Sequence, residues 1–143
     1  MHCVKLLKEP LLEALSRGAT HADFVEADRR QVAVIRANLM ATKTANRANV
    51  IQSTVENALG RLLIRYDFIL MDPPYKEPFP AGVIEKIGDL DLLAEEGLAI
   101  VGHATREKAP GRCGRLVRTQ DRRYGDSSLA FYVVANSEET TGS

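Results

Sequence analysis

The chain has 143 residues, 45% of them apolar and 27% charged, with no net charge at neutral pH. That length suits one domain with a real core, and the composition is that of an ordinary soluble globular protein, not a disordered or fibrous one. No apolar run is long enough to cross a bilayer, the start lacks a secretory-signal layout, and Cys3, Cys113 and three scattered histidines make no metal-ligand pattern. The expectation is a cytoplasmic protein with reduced thiols, no metal and no membrane partner.

Met1 to Glu9 has no clear period. Pro10 suits the first turn of a helix, Leu11, Leu12, Ala14 and Leu15 follow at helical spacing, and Gly18 can cap its end. Residues 20–26 read as a short strand ending in Phe24-Val25-Glu26. Asp28 can cap the next helix with Gln31 three residues on, a capping box, and Val32, Ile35 and Leu39 supply its buried face. Asn49 to Gln52 makes another short strand, and a brief helix covers Val55 to Leu62. Val83, Ile84, Ile87, Leu90 and Leu92 read as a helix with a ragged end, and Gly97 to Val101 as a buried strand. Strands alternating with helices, without repeats or a splitting linker, predict a doubly wound α/β sheet. Residues 1–135 are expected to form one domain and 136–143, polar and small, a flexible tail.

The most informative stretch is Tyr66 to Met71 running into Asp72-Pro73-Pro74-Tyr75. Phe68 to Met71 is an unbroken apolar run, short enough for a strand buried on both faces. Neither proline can donate to a sheet ladder, so the strand must end and leave Asp72 at its carboxyl edge. Ligands of open parallel sheets bind beyond that edge.

The chemistry there suits transfer of a group to an exocyclic amine of a nucleobase. Such a nitrogen is a poor nucleophile because its lone pair is delocalised into the ring. A carboxylate (Asp72) and a backbone carbonyl (Pro73) can each accept one N–H, turning the lone pair out of the ring plane. The Pro73-Pro74 turn holds both acceptors, and Tyr75 offers a ring face for an unstacked base. A second signal is charge: residues 106–123 carry Arg106, Lys108, Arg112, Arg115, Arg118, Arg122 and Arg123 against Glu107 and Asp121. A local basic strip can hold a nucleic-acid backbone even on a neutral chain.

Asp72-Pro73-Pro74-Tyr75 resembles the [Asp/Asn/Ser]-Pro-Pro-aromatic motif of S-adenosylmethionine-dependent amino-methyltransferases. Glu13-Ala14-Leu15-Ser16-Arg17-Gly18-Ala19, Phe24-Val25-Glu26-Ala27-Asp28-Arg29-Arg30, and Arg122-Arg123-Tyr124-Gly125-Asp126 followed by Leu129-Ala130-Phe131-Tyr132 narrow the match. Together they resemble the RsmD-type family, which methylates a guanine N2 amine in small-subunit ribosomal RNA. The resemblance implies a Rossmann-like class I methyltransferase fold, closed by an antiparallel pair over Arg115–Gln120 and Leu129–Ala135. It implies S-adenosylmethionine as cofactor, ribosomal RNA or the small ribosomal subunit as partner, and a monomer. It places Glu26 on the cofactor ribose, Thr54 and Val55 near its adenine, and Arg118, Arg122, Arg123 and Tyr124 on RNA.

Three departures stand out. Thr54 offers only a hydroxyl where relatives place an acid or amide, and Gly102-His103 replaces a usual Glu-His, with no role assigned to His103. The largest lies at the start: no glycine precedes Gly18, so bulky residues near Leu6, Leu7 and Lys8 stand where a Gly-rich turn should approach the cofactor. The first strand and that turn are therefore expected to be missing or degenerate, with His2 to Leu7 as a makeshift strand. The family's basic N-terminal extension is missing too, and residues 1–10 read as a replaced or misread beginning. Two alternatives follow: a non-catalytic remnant that binds RNA weakly, or a methyltransferase acting on a DNA base amine.

Overall fold

The computed structural model describes residues 20–73 and 77–135 in full and residues 2–6 as backbone. The helix expected from Pro10 to Gly18, the tail from 136, and Pro74 and Tyr75 lie outside the described residues.

The described strands form one mixed sheet. In chain order they are β1 (His2–Leu6), β2 (His21–Glu26), β3 (Ala48–Gln52), β4 (Tyr66–Met71), β5 (Leu93–Ala104), β6 (Arg112–Cys113), β7 (Leu116–Tyr124) and β8 (Ser127–Val134). Their spatial order is β3-β2-β1-β4-β5-β8-β7-β6. β1 to β5 are parallel, whereas β8 returns antiparallel to β5 and pairs with β7 as a hairpin. The chain order thus reverses between β1 and β4, the switch point at which open α/β sheets bind ligands. The expected terminal pair is present, longer at its turn end (to Tyr124 and from Ser127) and one residue shorter on each strand at the other. It turns through Gly125 and Asp126, and Gly125 takes the positive φ (65°) that a two-residue hairpin turn needs.

The first strand was expected to be missing or degenerate, its slot taken by His2 to Leu7 as a makeshift strand, and His2–Leu6 does fill that slot. It is present: β1 sits centrally, pairing Cys3 with Ala22 and Phe68, and Leu6 with Met71. Backbone hydrogen bonding from two parallel neighbours can hold five residues that lack any hydrophobic period. The described backbone stops at Leu6, the first of the positions near which the missing glycines were expected.

Two layers of helix cover the sheet. α1 (Arg29–Ala41) buries Val32, Ile35 and Leu39, the three residues expected, and Ile35 and Leu39 cluster with Ala22 and Phe24 of β2. Each such side chain contributes about 1.5–3 kcal/mol by leaving water. α2 (Val55–Leu59) and α3 (Ala81–Asp89) cover the other face, where Leu59, Ile84 and Ile87 meet Tyr66, Ile69 and Met71 of β4. α2 ends three residues earlier than expected, with Gly60 at its C-cap. β4 is less deeply buried on its α1 side, where Phe68 and Leu70 are partly covered. β5 starts at Leu93, four residues before the apolar run, because its early rungs carry the exposed Glu95 and Glu96.

The capping box forms by half. Asp28 accepts from Arg30 N at 2.8 Å and Gln31 N at 3.4 Å, but Gln31 does not reach back. Its Oε1 is buried without a partner among the described residues, and Glu26 Oε2 takes the Asp28 N–H instead, at 3.0 Å. At the opposite end of the sheet, buried Asp23 accepts from Tyr66 Oη, from Asn49 Nδ2 at 3.2 Å and pairs with His21 Nε2 at 2.8 Å. Burial, then the bond to Asp23, raise the Tyr66 pKa far above the usual phenol range, so its hydroxyl stays a donor.

Candidate functional site

β2, β3 and β4 end on one edge of the sheet, because Glu26 pairs with Gln52 and Met71 lies level with Leu6 and Val101. The residues that follow them converge there. Asp72 leaves β4 at the switch point and, with Pro73 and Glu77, forms a wall between two clefts.

The cleft on the β2 side has a volume of about 370 Å³ and is lined by Val25, Glu26 and Ala27, by Ser53 to Glu56, and by Val83. Glu26 is half-buried at the end of β2; its Oε2 holds the Asp28 N–H, which leaves Oε1 open to the cleft. Thr54 caps α2 by accepting from Asn57 N at 3.3 Å, so its hydroxyl can still donate. The three residues expected to touch a cofactor, Glu26, Thr54 and Val55, therefore share one cavity. Glu56, in the first turn of α2, joins them and was missed from sequence because a helix-start acid reads as a dipole partner. No metal-binding cluster of acids, cysteines or histidines occurs among the described residues.

The cleft on the β5 side has a volume of about 230 Å³. Phe79, Gly102, His103, Glu107 and Ser128 line it, opposite Asp72 and Pro73. His103 is held on both ring nitrogens, Nε2 at 2.9 Å from Asp121 Oδ1 and Nδ1 at 2.9 Å from the Ala104 carbonyl. Its ring meets Phe79 edge-on, 5.3 Å between centroids, and so fixes that apolar wall. Glu107 is half-buried, and its carboxylate has no hydrogen-bond partner among the described residues.

Asp72 joins the two halves. The residue as a whole is exposed, yet its carboxylate leans over β5 and its partial burial raises its pKa above the usual carboxylate range. No ion pair to Asp72 forms among the described residues. The acid therefore faces cavities on both sides, and among the described residues no interior cation locks it.

The basic residues divide. Arg112 Nε donates to the Gly114 carbonyl at 2.9 Å and Arg115 Nη1 to the Gly88 carbonyl at 3.3 Å, while Arg118 Nη1 holds the Ala109 carbonyl. These brace the 105–116 segment against α3 and β7. Arg122 lies over the Phe131 ring at 5.9 Å, Arg123 Nε donates to the Gly125 carbonyl at 3.1 Å, and Tyr124 is 59% exposed. All three stand on the hairpin whose returning strand, from Ser127 to Leu129, lines the β5 cleft.

A family model described as "Conserved hypothetical protein 95" matches residues 11–133. The chain belongs to that RsmD-type family. It is 32% identical over 124 residues to a Bacillus subtilis (strain 168) protein named "Putative rRNA methyltransferase YlbH", covering 85% of this chain and 67% of that one. It is 33% identical over 90 residues to the Escherichia coli (strain K12) "Ribosomal RNA small subunit methyltransferase D". That match covers 63% of this chain and 45% of the relative, so the chain spans less than half of the Escherichia coli protein's length in the match. A solved Streptococcus pyogenes structure, named only as a conserved hypothetical protein, superposes with a TM-score of 0.85 at 28% identity, covering 94% of this chain and 86% of that one. Members of the family share the Rossmann-like sheet of class I methyltransferases, and this chain has it. No helix among the described residues is long and apolar enough to cross a membrane.

Proposed function

We propose that the chain methylates the exocyclic N2 amine of a guanine in small-subunit ribosomal RNA, with S-adenosylmethionine as donor. The observation that carries this reading is the wall shared by two clefts, with Asp72 and Pro73 exposed to both. A two-substrate transfer needs both reactants held in line and in contact beside one orienting group, which a residue shared by two adjoining clefts can supply.

On the β2 side, Glu26 accepts the ribose hydroxyls while Val55 packs against the adenine and Thr54 donates its hydroxyl to it. The cofactor supplies a methyl group already activated on a sulfonium. On the β5 side, Asp72 and the Pro73 carbonyl accept the two amine N–H bonds and localise the lone pair on nitrogen. With the donor bound, that nitrogen would take the methyl group as its carbon–sulfur bond breaks toward sulfur, and Asp72 or water would take up the surplus amine proton.

The lining of the β5 cleft favours guanine over the other base amines. The Asp72 and Glu107 carboxyls and the Pro73 carbonyl all offer acceptor oxygens there. Guanine presents N1–H and N2–H donors side by side, whereas adenine and cytosine each present a ring-nitrogen acceptor next to their amine. A ring acceptor facing Glu107 would be repelled, which argues against the DNA adenine or cytosine alternative. Arg122, Arg123 and Tyr124 at the hairpin are placed to hold the flanking backbone and stack a neighbouring base. Pro74 and Tyr75 belong to the proposal through the motif.

The test is label transfer from methyl-labelled cofactor to small subunits that lack the modification, followed by nucleoside analysis. N2-methylguanosine is the expected product, lost on Asp72→Ala. Salt-sensitive RNA binding with neither cofactor binding nor transfer would identify the non-catalytic remnant instead.

A further inference from the structure

We infer that Gly102 is a positioning residue for Asp72: the space left by its missing side chain is the seat of the Asp72 carboxylate. The inference deepens the proposed function, since it matters for catalysis only if Asp72 is the amine acceptor.

Gly102 follows the rung at which Val101 of β5 pairs with Met71 of β4, so it stands beside Asp72. A Cβ on Gly102 would lie 2.7 Å from Asp72 Oδ1 and 3.5 Å from its Cγ. The next nearest atom, the Met71 carbonyl oxygen, would be at an ordinary 3.7 Å. The backbone here is extended strand without positive φ, so it would accept any residue. Neither strain nor main-chain crowding explains a glycine at this position. The one group that excludes a side chain is the carboxylate itself.

The consequence is directional. With Gly102 in place, the carboxylate lies over β5 between the two clefts, partly shielded from water. With the Asp72 rotamer seen here, a Cβ at 102 must push Oδ1 off this seat. The acceptor then moves by the better part of an ångström, enough to cost a well-aligned transfer roughly a hundredfold.

Carbon-detected NMR titration of the side-chain carboxyls in the free protein tests this directly, with Asp72→Asn to assign the signal. In Gly102→Ala the Asp72 midpoint should fall toward the usual carboxylate range. Gly60→Ala, where an added Cβ meets nothing within 4 Å, should leave it unmoved. An unchanged Asp72 midpoint in Gly102→Ala would overturn the inference. Should that variant unfold, the change is made in an Asp72→Ala background. There it should leave the urea midpoint where Asp72→Ala alone puts it; an equal loss in both backgrounds overturns the inference as well. In transfer assays Gly102→Ala should lower kcat about tenfold to a hundredfold with unchanged affinity for the cofactor. Failure of the wild type to transfer methyl would defeat the proposed function but leave the titration result standing.

Discussion

Glu26→Gln removes one charge and little volume, and the structure says what the amide must do. Oε2 of Glu26 accepts the Asp28 N–H at 3.0 Å, and that donor still needs an acceptor in the variant. The glutamine oxygen takes it, which turns the NH2 group toward the β2 cleft. Two charge-assisted bonds to ribose hydroxyls, each about 1.5–3 kcal/mol, are then replaced by one neutral bond of about 0.5–1.5 kcal/mol. The net loss is about 2–4 kcal/mol, or roughly 30-fold to 1,000-fold in the dissociation constant. Calorimetry with S-adenosylhomocysteine reads it without needing RNA. The helix start should survive, because Asp28 caps α1 through its own side chain. Thermal melting without ligand should therefore match the wild type. An affinity within threefold of the wild type would refute the reasoning and move the ribose elsewhere.

Glu107→Ala should lower transfer to guanine by about 10-fold to 100-fold, the value of one charge-assisted bond, while cofactor affinity stays constant in the same calorimetry. Because burial raises the Asp72 pKa, activity should fall on the acid side at a pH above the ordinary carboxylate range, as the acceptor is protonated; a pH–rate profile without that limb would contradict the assignment. The same shift has a stability sign: the protonated acid is favoured in the fold, so its contribution is present at low pH and lost as pH rises through the folded pKa. Asp72→Asn should then stabilise the protein slightly at neutral pH in urea denaturation. Tyr66→Phe strips one donor from buried Asp23 and leaves His21 and Asn49, and urea midpoints should report a loss of about 1–3 kcal/mol.

Local signals decided which parts could be read from sequence. Val32, Ile35 and Leu39 at helical spacing fixed the buried face of α1, and the apolar run stopped by Asp72-Pro73 fixed where β4 ends. Both depend on residues near one another in the chain. β1 was doubtful because a strand paired on both edges draws on its neighbours' backbone, and His2 to Leu6 carries no pattern that announces them. Gln31 looked like half of a capping box, but Glu26 reaches the Asp28 N–H from the other side of the turn. The β2 cleft was legible because Glu26 and the residues from Ser53 to Val55 each follow a parallel strand. The β5 cleft was not. Its wall is assembled by the antiparallel register of β5 on β8, which sets His103 opposite Ser128 and Gly102 opposite Leu129. Gly102 entered the sequence reading as a lost glutamate, and only the position of Asp72 Oδ1 gives it a physical reason.

The raised pKa of Asp72 and its place in the shared wall belong to one design problem. An ionised carboxylate accepts an amine N–H more strongly than a protonated one, yet the partial burial that orients Asp72 disfavours its charge. Opposite charge in the neighbouring cleft relieves that conflict, since a cation close by favours the carboxylate form. The sulfonium of a methyl donor carries such a charge, and its demethylated product does not. Linkage then requires the converse: an ionised Asp72 holds the donor more tightly than the product, and the preference fades as the acid is protonated.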